Sequence, residues 1–153
     1  MSPALRSPAD TVRYLHGHIP VSAAMGVEVL ENTAARTVLR APLAPNLNHR
    51  ATVFGGSASA VAILAAWTWL HFALRDAGLA CRVVIQRNEM DYLAPITGDF
   101  TAHCEGVAAA ELEKLLRTLR RHGKGRVSVT ARLEQDGKQV ARFAGDYVAV
   151  VLA

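Results

Sequence analysis

Cysteine is nearly absent: Cys81 and Cys104 are the only two among 153 residues. Two distant thiols cannot build the disulfide framework of a small secreted scaffold, and neither has a partner at metal-ligand spacing. They read as small buried hydrophobes in a reducing, cytoplasmic setting. Aromatic residues are scarce too, at 6%. They do not interleave with the basic cluster Arg117, Arg120, Arg121, His122, Lys124 and Arg126, which excludes a stacking platform for single-stranded nucleic acid. With 17 Lys and Arg against 13 Asp and Glu, the chain also lacks the dense basic face of a nonspecific DNA binder. The mild excess suits ordinary solvated surface or an anionic small molecule.

Other motifs are missing. The six histidines form no H-x-x-x-H pair and no Cys/His cluster, so no metal is expected. Gly55-Gly56 lacks both the third glycine and the Gly-Lys-Ser/Thr of nucleotide loops, so no nucleotide cofactor is expected either. Residues 1–10 contain no continuous apolar region and cannot serve as a secretory signal.

Apolar residues make up 51% and charged residues 20%, enough for one ordinary domain with its own core. One stretch is exceptional. From Ala51 to Leu74 there is no Asp, Glu, Lys or Arg, a run long enough to cross a bilayer. Its middle is dominated by alanine, a strong helix former but weakly hydrophobic, so the run reads as a helix over 57–76 buried inside a soluble domain. Ahead of it lie a loose arm over 1–9, a short helix capped by Asp10 and running to Gly17, and strands at 27–31 and 36–41. Behind it come a central strand over 80–90, a strand over 99–105 and an amphipathic helix over 107–122. A hairpin over 126–134 and 139–150 turns on Asp136-Gly137. The expected fold is α+β: residues 10–153 as one domain whose antiparallel sheet wraps a long central helix.

The chemistry is sought where that helix opens. A helix start presents unpaired N–H groups and the positive end of the helix dipole. Gly55 and Gly56 let a carbonyl approach those amides with no Cβ in the way. Such an opening can polarise a thioester and hold the oxyanion formed when water attacks it. Asn48 and His49, on the loop before it, can orient a water and move a proton, or else form an Asx-turn with a surface histidine. Ser57 and Ser59 have no nucleophile elbow around them and read as caps or packing residues. Asp91, where a strand meets a loop, is the further carboxylate candidate. Arg82, Arg87 and Arg126 are candidates for holding the phosphates of a carrier.

Several ordered segments carry a family resemblance. They are Tyr14-Leu-His-Gly-His-Ile-Pro20, Ala24-Met-Gly26, Asn46-Leu-Asn-His-Arg-Ala-Thr-Val-Phe-Gly-Gly-Ser57, Val84-Ile-Gln-Arg-Asn88 and Tyr92-Leu-Ala-Pro-Ile-Thr-Gly-Asp99. From about Val12 through Val150 the chain resembles the thioesterase domain found at the carboxyl end of YiiD-like acetyltransferases, in the hotdog-fold superfamily. The resemblance implies a hotdog homodimer, often paired again into a tetramer, with acyl-CoA or other acyl-carrier thioesters bound between subunits. No nucleic-acid or membrane partner is expected from the composition. In the phenylacetyl-CoA thioesterase-like branch an Asn precedes a His-Gly-Gly turn, and an acid follows on the central helix. Asn48, Gly55 and Gly56 match that pattern, whereas Phe54 stands at the histidine position and apolar Ile63 or Leu64 at the acid position. Three activities therefore stay open: thioester hydrolysis with His49 or Asp91 as base, noncatalytic acyl-thioester binding, and hotdog dehydration or hydration.

Overall fold

The computed structural model describes residues 6–153. Helix α1 (Pro8–His18) is capped by Ser7, whose Oγ accepts from the Asp10 amide at 3.1 Å. The cap is therefore Ser7 rather than Asp10, and Pro8 and Ala9 join the helix instead of an arm. Of the rest of the expected arm, Arg6 is anchored by its Nε donating to Asp76 Oδ2 at 3.0 Å and Ser7 is the cap, while residues 1–5 lie outside the described residues. Helix α2 (Pro20–Ala24) and strands β1 (Glu28–Asn32) and β2 (Thr37–Ala41) follow.

Helix α3 (Gly55–Asp76) is the apolar run. It starts two residues earlier than expected, so both glycines lie in its first turn. Its N-cap, Phe54, offers no side-chain hydrogen bond, and neither Ser57 nor Ser59 serves as the cap. Strand β3 (Cys81–Tyr92), strand β4 (Phe100–Cys104), helix α4 (Ala109–His122) and strands β5 (Lys124–Gln135) and β6 (Lys138–Val151) complete the order. The β5–β6 hairpin turns through Asp136 (φ 51°) and Gly137 (φ 77°), the pair of positive φ angles that matches the twist of tight hairpins.

The six strands form one antiparallel sheet in the order β1-β2-β4-β5-β6-β3. Alternation puts Val127, Val129, Ala131 and Leu133 of β5 and Ala141, Phe143, Tyr147 and Ala149 of β6 on the inner face, all buried. That face curves around α3, which touches β2, β3, β4, β5 and β6. This is the hotdog architecture. The window of α3 long enough to span a membrane is 67% buried within this wrap. Three side chains tie helix to sheet through main-chain oxygens. Trp67 Nε1 donates to Val83 O at 2.9 Å, Trp69 Nε1 to Ala34 O at 3.1 Å, and the Tyr147 hydroxyl to Ile63 O at 2.7 Å.

Strand β3 differs from expectation: among the described residues it is an edge, paired only with β6. The β-branched run Val83-Val84-Ile85 reads as interior, yet Val83 is the sole buried residue of the strand and Val84 is 48% exposed. At the opposite edge β1 has α1 packed against it.

Helices α1 and α3 meet through a column of rings: His18 on Tyr14 (4.0 Å), Tyr14 on His71 (5.2 Å) and His71 on Trp67 (4.6 Å). His71 is buried and its Nε2 has no hydrogen-bond partner. Burial, helped by the nearby charges of Arg75 and His18, lowers its pKa from 6.5 to about 4. The unfolded chain binds a proton here that the folded chain refuses, so stability is lost as pH falls from 6.5 toward 4. His71→Phe keeps a ring in the column and removes the titration. Urea unfolding should show the wild type losing about 2–3 kcal/mol more than this variant across that window. Parallel losses in the two proteins would mean that His71 is not the titrating group.

Candidate functional site

The segment between β2 and α3 is fastened at three points. Asn46 is buried, and its Nδ2 donates to Met25 O at 2.9 Å and Pro42 O at 2.7 Å. Its own carbonyl accepts from the Phe54 amide at 2.7 Å, and the Val53 amide donates to Ile96 O at 2.8 Å. Leu47 and Val53 form an isolated antiparallel bridge. The residue that opens α3 is thus held by main-chain bonds rather than by a cap. Ala58 is the first amide of α3 with a carbonyl of its own helix to reach, Phe54 O at 3.1 Å. The amides of Gly55, Gly56 and Ser57 precede it, at the positive end of a 22-residue helix.

Two rings flank these amides. A Cβ on Gly56 would lie 2.3 Å from the Phe54 ring, so glycine is what lets that ring fold back over the first turn. The Tyr92 hydroxyl donates to Gly55 O at 3.0 Å, and its ring stands 3.6 Å from where a Gly55 Cβ would be. Beside them lies a cavity of 330 Å³ whose walls include Val53, Ala58, Tyr92 and Ile96.

Asn48 closes its own turn. Its Oδ1 accepts from the amides of Arg50 (2.8 Å) and Thr52 (3.1 Å), and its Nδ2 donates to Thr52 Oγ1 (2.7 Å). Ala51 completes the turn with φ 61°. His49 is exposed at the tip. Asn48, His49, Gly55 and Gly56 therefore lie on one small hairpin and the helix start that follows it, with His49 at the tip and the glycines at the base.

Asp91 does not join them within the chain. Alternation counted from Val83 and Ile85 would turn Asp91 toward the helix, but a bulge between Ile85 and Arg87 reverses the count. Tyr92 takes the inner side, and Asp91 faces outward, bonded to Arg142 Nε at 2.9 Å. There it lines a separate 370 Å³ cavity with His103, Glu105, Arg132 and Arg142. Charges in that cavity answer one another, with Arg132 bonded to Glu134 at 2.6 Å and 3.5 Å from Glu105. Burial, opposed by Glu134, lowers the pKa of His103. Arg82, Arg87 and Arg126 are exposed. Arg126 bonds Gln86, and Arg87 lies 3.9 Å from Glu89. At about 3.4 Å per residue, Arg82 stands roughly 34 Å along β3 from Tyr92, so a single chain does not bring it to the helix opening. Among the described residues, no three His, Cys, Asp or Glu side chains converge as metal ligands.

Sequence reasoning passed over two residues of the opening. Tyr92 is disguised by the bulge. Asn46 is overshadowed by Asn48, although its place directly after Pro45 in a short 3-10 turn (Ala44–Asn46) marks a fixed backbone.

Residues 9–151 match the protein family described as "Putative thioesterase (yiiD_Cterm)". A protein of unknown function from Chlorobaculum tepidum is 28% identical with a TM-score of 0.87, over 97% of this chain and 99% of that one. A Shewanella oneidensis protein described as a "putative thioesterase" is 29% identical with a TM-score of 0.84, over 94% of this chain and 96% of that one. A mutant of the phenylacetic acid degradation protein PaaI from Thermus thermophilus shares the fold at 21% identity and a TM-score of 0.64, over 87% of this chain and 99% of that one.

The two asparagines should separate in stability measurements. Asn46→Ala strands two carbonyls in a buried place and should cost about 2–4 kcal/mol, whereas Asn48→Ala opens a half-exposed turn and should cost about 1 kcal/mol. Urea titration of both variants decides this, and an equal or reversed order would mean that Asn46 does not fasten the opening.

Proposed function

The chain belongs to the thioesterase family of YiiD carboxyl-terminal domains, and on that premise we propose that it hydrolyses acyl thioesters at the opening of α3. The observation that carries the reading is the row of uncapped amides at Gly55, Gly56 and Ser57 beside an apolar cavity. A thioester carbonyl set against these amides is polarised. When water attacks the carbonyl carbon, the oxyanion gains more from the amides and the helix dipole than the ground state did. His49 takes the proton from the attacking water. The carbon–sulfur bond then breaks, the carboxylic acid departs, and the proton is returned to the leaving thiolate. Asn48 acts through His49, since its side chain shapes the turn that presents the imidazole. Asp91 is turned outward in its own chain and bonded to Arg142, so any part it takes in this step comes from a facing copy.

The site is completed by a second copy. Strand β3 is a 12-residue edge with one buried residue, and such an edge is a template for pairing. Ala60, Ile63 and Trp67 run beside it along α3 as a half-buried stripe. Antiparallel pairing of two β3 strands covers edge and stripe together. It also lays the Arg82 end of one strand beside the Tyr92 end of the other, where an arginine can hold the phosphates of CoA or of an acyl carrier.

Thiol release from acyl-CoA substrates tests the chemistry. Against folded wild type, His49→Ala should lower kcat by about 10²–10⁴ with KM changed little. Gly55→Val, whose methyl groups would meet the Tyr92 ring, should damage both constants. If the wild type binds acyl thioesters but releases no thiol, the protein is a binding module, a reading that apolar Ile63 and buried Leu64 on α3 would then explain. For the assembly, sedimentation at low micromolar concentration should give at least twice the 16.4 kDa chain mass. A lone species at the chain mass would remove both the edge pairing and the shared site.

A further inference from the structure

We propose that the cavity beside the opening of α3 holds the acyl group, and that the substrates carry an uncharged, apolar acyl chain of short to medium length. The inference rests on the hydrolase reading and adds to it the class of substrate. Val53, Ala58, Tyr92, Leu93, Pro95 and Ile96 form the walls, and none of them carries a charge. Val53 and Ala58 bracket the uncapped amides in sequence. A carbonyl held by those amides therefore has its acyl chain at the mouth of the cavity and its sulfur directed elsewhere.

The walls are built before any ligand arrives. The Val53 amide is bonded to Ile96 O at 2.8 Å, and the amides of Leu93 and Ala94 reach Val140 O at 2.9 and 3.2 Å. Tyr92 is fixed by its hydrogen bond to Gly55 O. Each of these bonds ties a wall to a different element, so an entering chain need not order the cavity. Tyr92 and Leu93 are nevertheless 55% and 50% exposed. In a single chain this is apolar surface at the lip of an apolar cavity, and an acyl chain would cover the part that a second copy leaves open. At 330 Å³ the space is near the small end of ligand pockets, about 300–1,000 Å³, which suits a short or medium chain. A terminal carboxylate would meet no cation among these walls.

The test is a series of acetyl-, butyryl-, hexanoyl-, octanoyl-, palmitoyl- and succinyl-CoA on the full chain. Each methylene buried should raise kcat/KM about fourfold until the cavity is full, before palmitoyl. Succinyl-CoA should fall below butyryl-CoA by more than about tenfold, the cost of an unpaired buried charge. Leu93→Glu, at an exposed lip position, should cut the octanoyl-to-acetyl ratio by about tenfold. Ala58→Leu should move the optimum to shorter chains, and if it does not fold, Leu93→Glu alone decides. A ratio unmoved by Leu93→Glu, or a preference for succinyl-CoA, overturns the proposal. If no thioester is hydrolysed at all, the hydrolase reading falls by itself. Calorimetry with nonhydrolysable S-alkyl-CoA thioethers then judges the cavity: tighter binding with chain length, weakened by Leu93→Glu, keeps it, and flat binding rejects it.

Discussion

A 22-residue helix with no Asp, Glu, Lys or Arg before Arg75 can persist in water only if nearly its whole circumference is covered. One flat sheet face cannot do this, because it touches a helix along a single stripe. The sheet must curl, and α3 supplies the means. Trp67 and Trp69 stand two residues apart, hence about 200° apart around the helix. Their indole N–H groups reach Val83 on edge strand β3 and Ala34 in the turn between β1 and β2, at opposite limits of the sheet. The alanines between the large side chains, Ala58, Ala62, Ala65 and Ala66, are at most 1% exposed and let the strands come close.

The same constraint makes the opening of the helix chemically distinct. Along the middle of α3 the backbone polar groups are paired within the helix, and most of the side chains around them are apolar. Only at the start does the helix leave amides with no carbonyl of its own, and there the N-cap side chain is a phenylalanine that accepts nothing. Stability of that end is delegated to the preceding loop through Asn46, Val53 and Phe54. A capping Ser or Asp would have occupied the amides. Phe54 secures the turn while leaving them open, and Gly56 is the accommodation its ring requires.

Much of this was legible in the sequence. The uncharged run and the Asp136-Gly137 turn report local physics that the tertiary structure does not override. The element order and the wrapped helix follow from them. What failed to show depended on single residues with long-range consequences. The bulge after Ile85 is one extra residue, yet it exchanges the faces of Asp91 and Tyr92 and so changes which of them stands at the helix opening. Val83-Val84-Ile85 looks interior by composition, but which strand ends at an edge is decided by pairing, not by propensity. Asn46 and Asn48 are two residues apart and chemically identical. One reaches across the fold to Met25, while the other turns back on Thr52.

Covering α3 and exposing its opening are opposed demands, and β3 is where they meet. Were β3 central, the helix would be sealed along its full length and the cavity beside Gly55 would lose its lip. As an edge, β3 leaves Ala60, Ile63 and Trp67 only half covered, which a single chain tolerates because alanine exposes little apolar area and the Trp67 ring is held by Val83 and stacked on His71. The incompletely wrapped side of the helix thus lies next to an unpaired strand, and both lead to the opening. Burial drives the sheet around the helix, and within one chain it stops short along β3, on the side that runs to the uncapped amides of Gly55, Gly56 and Ser57.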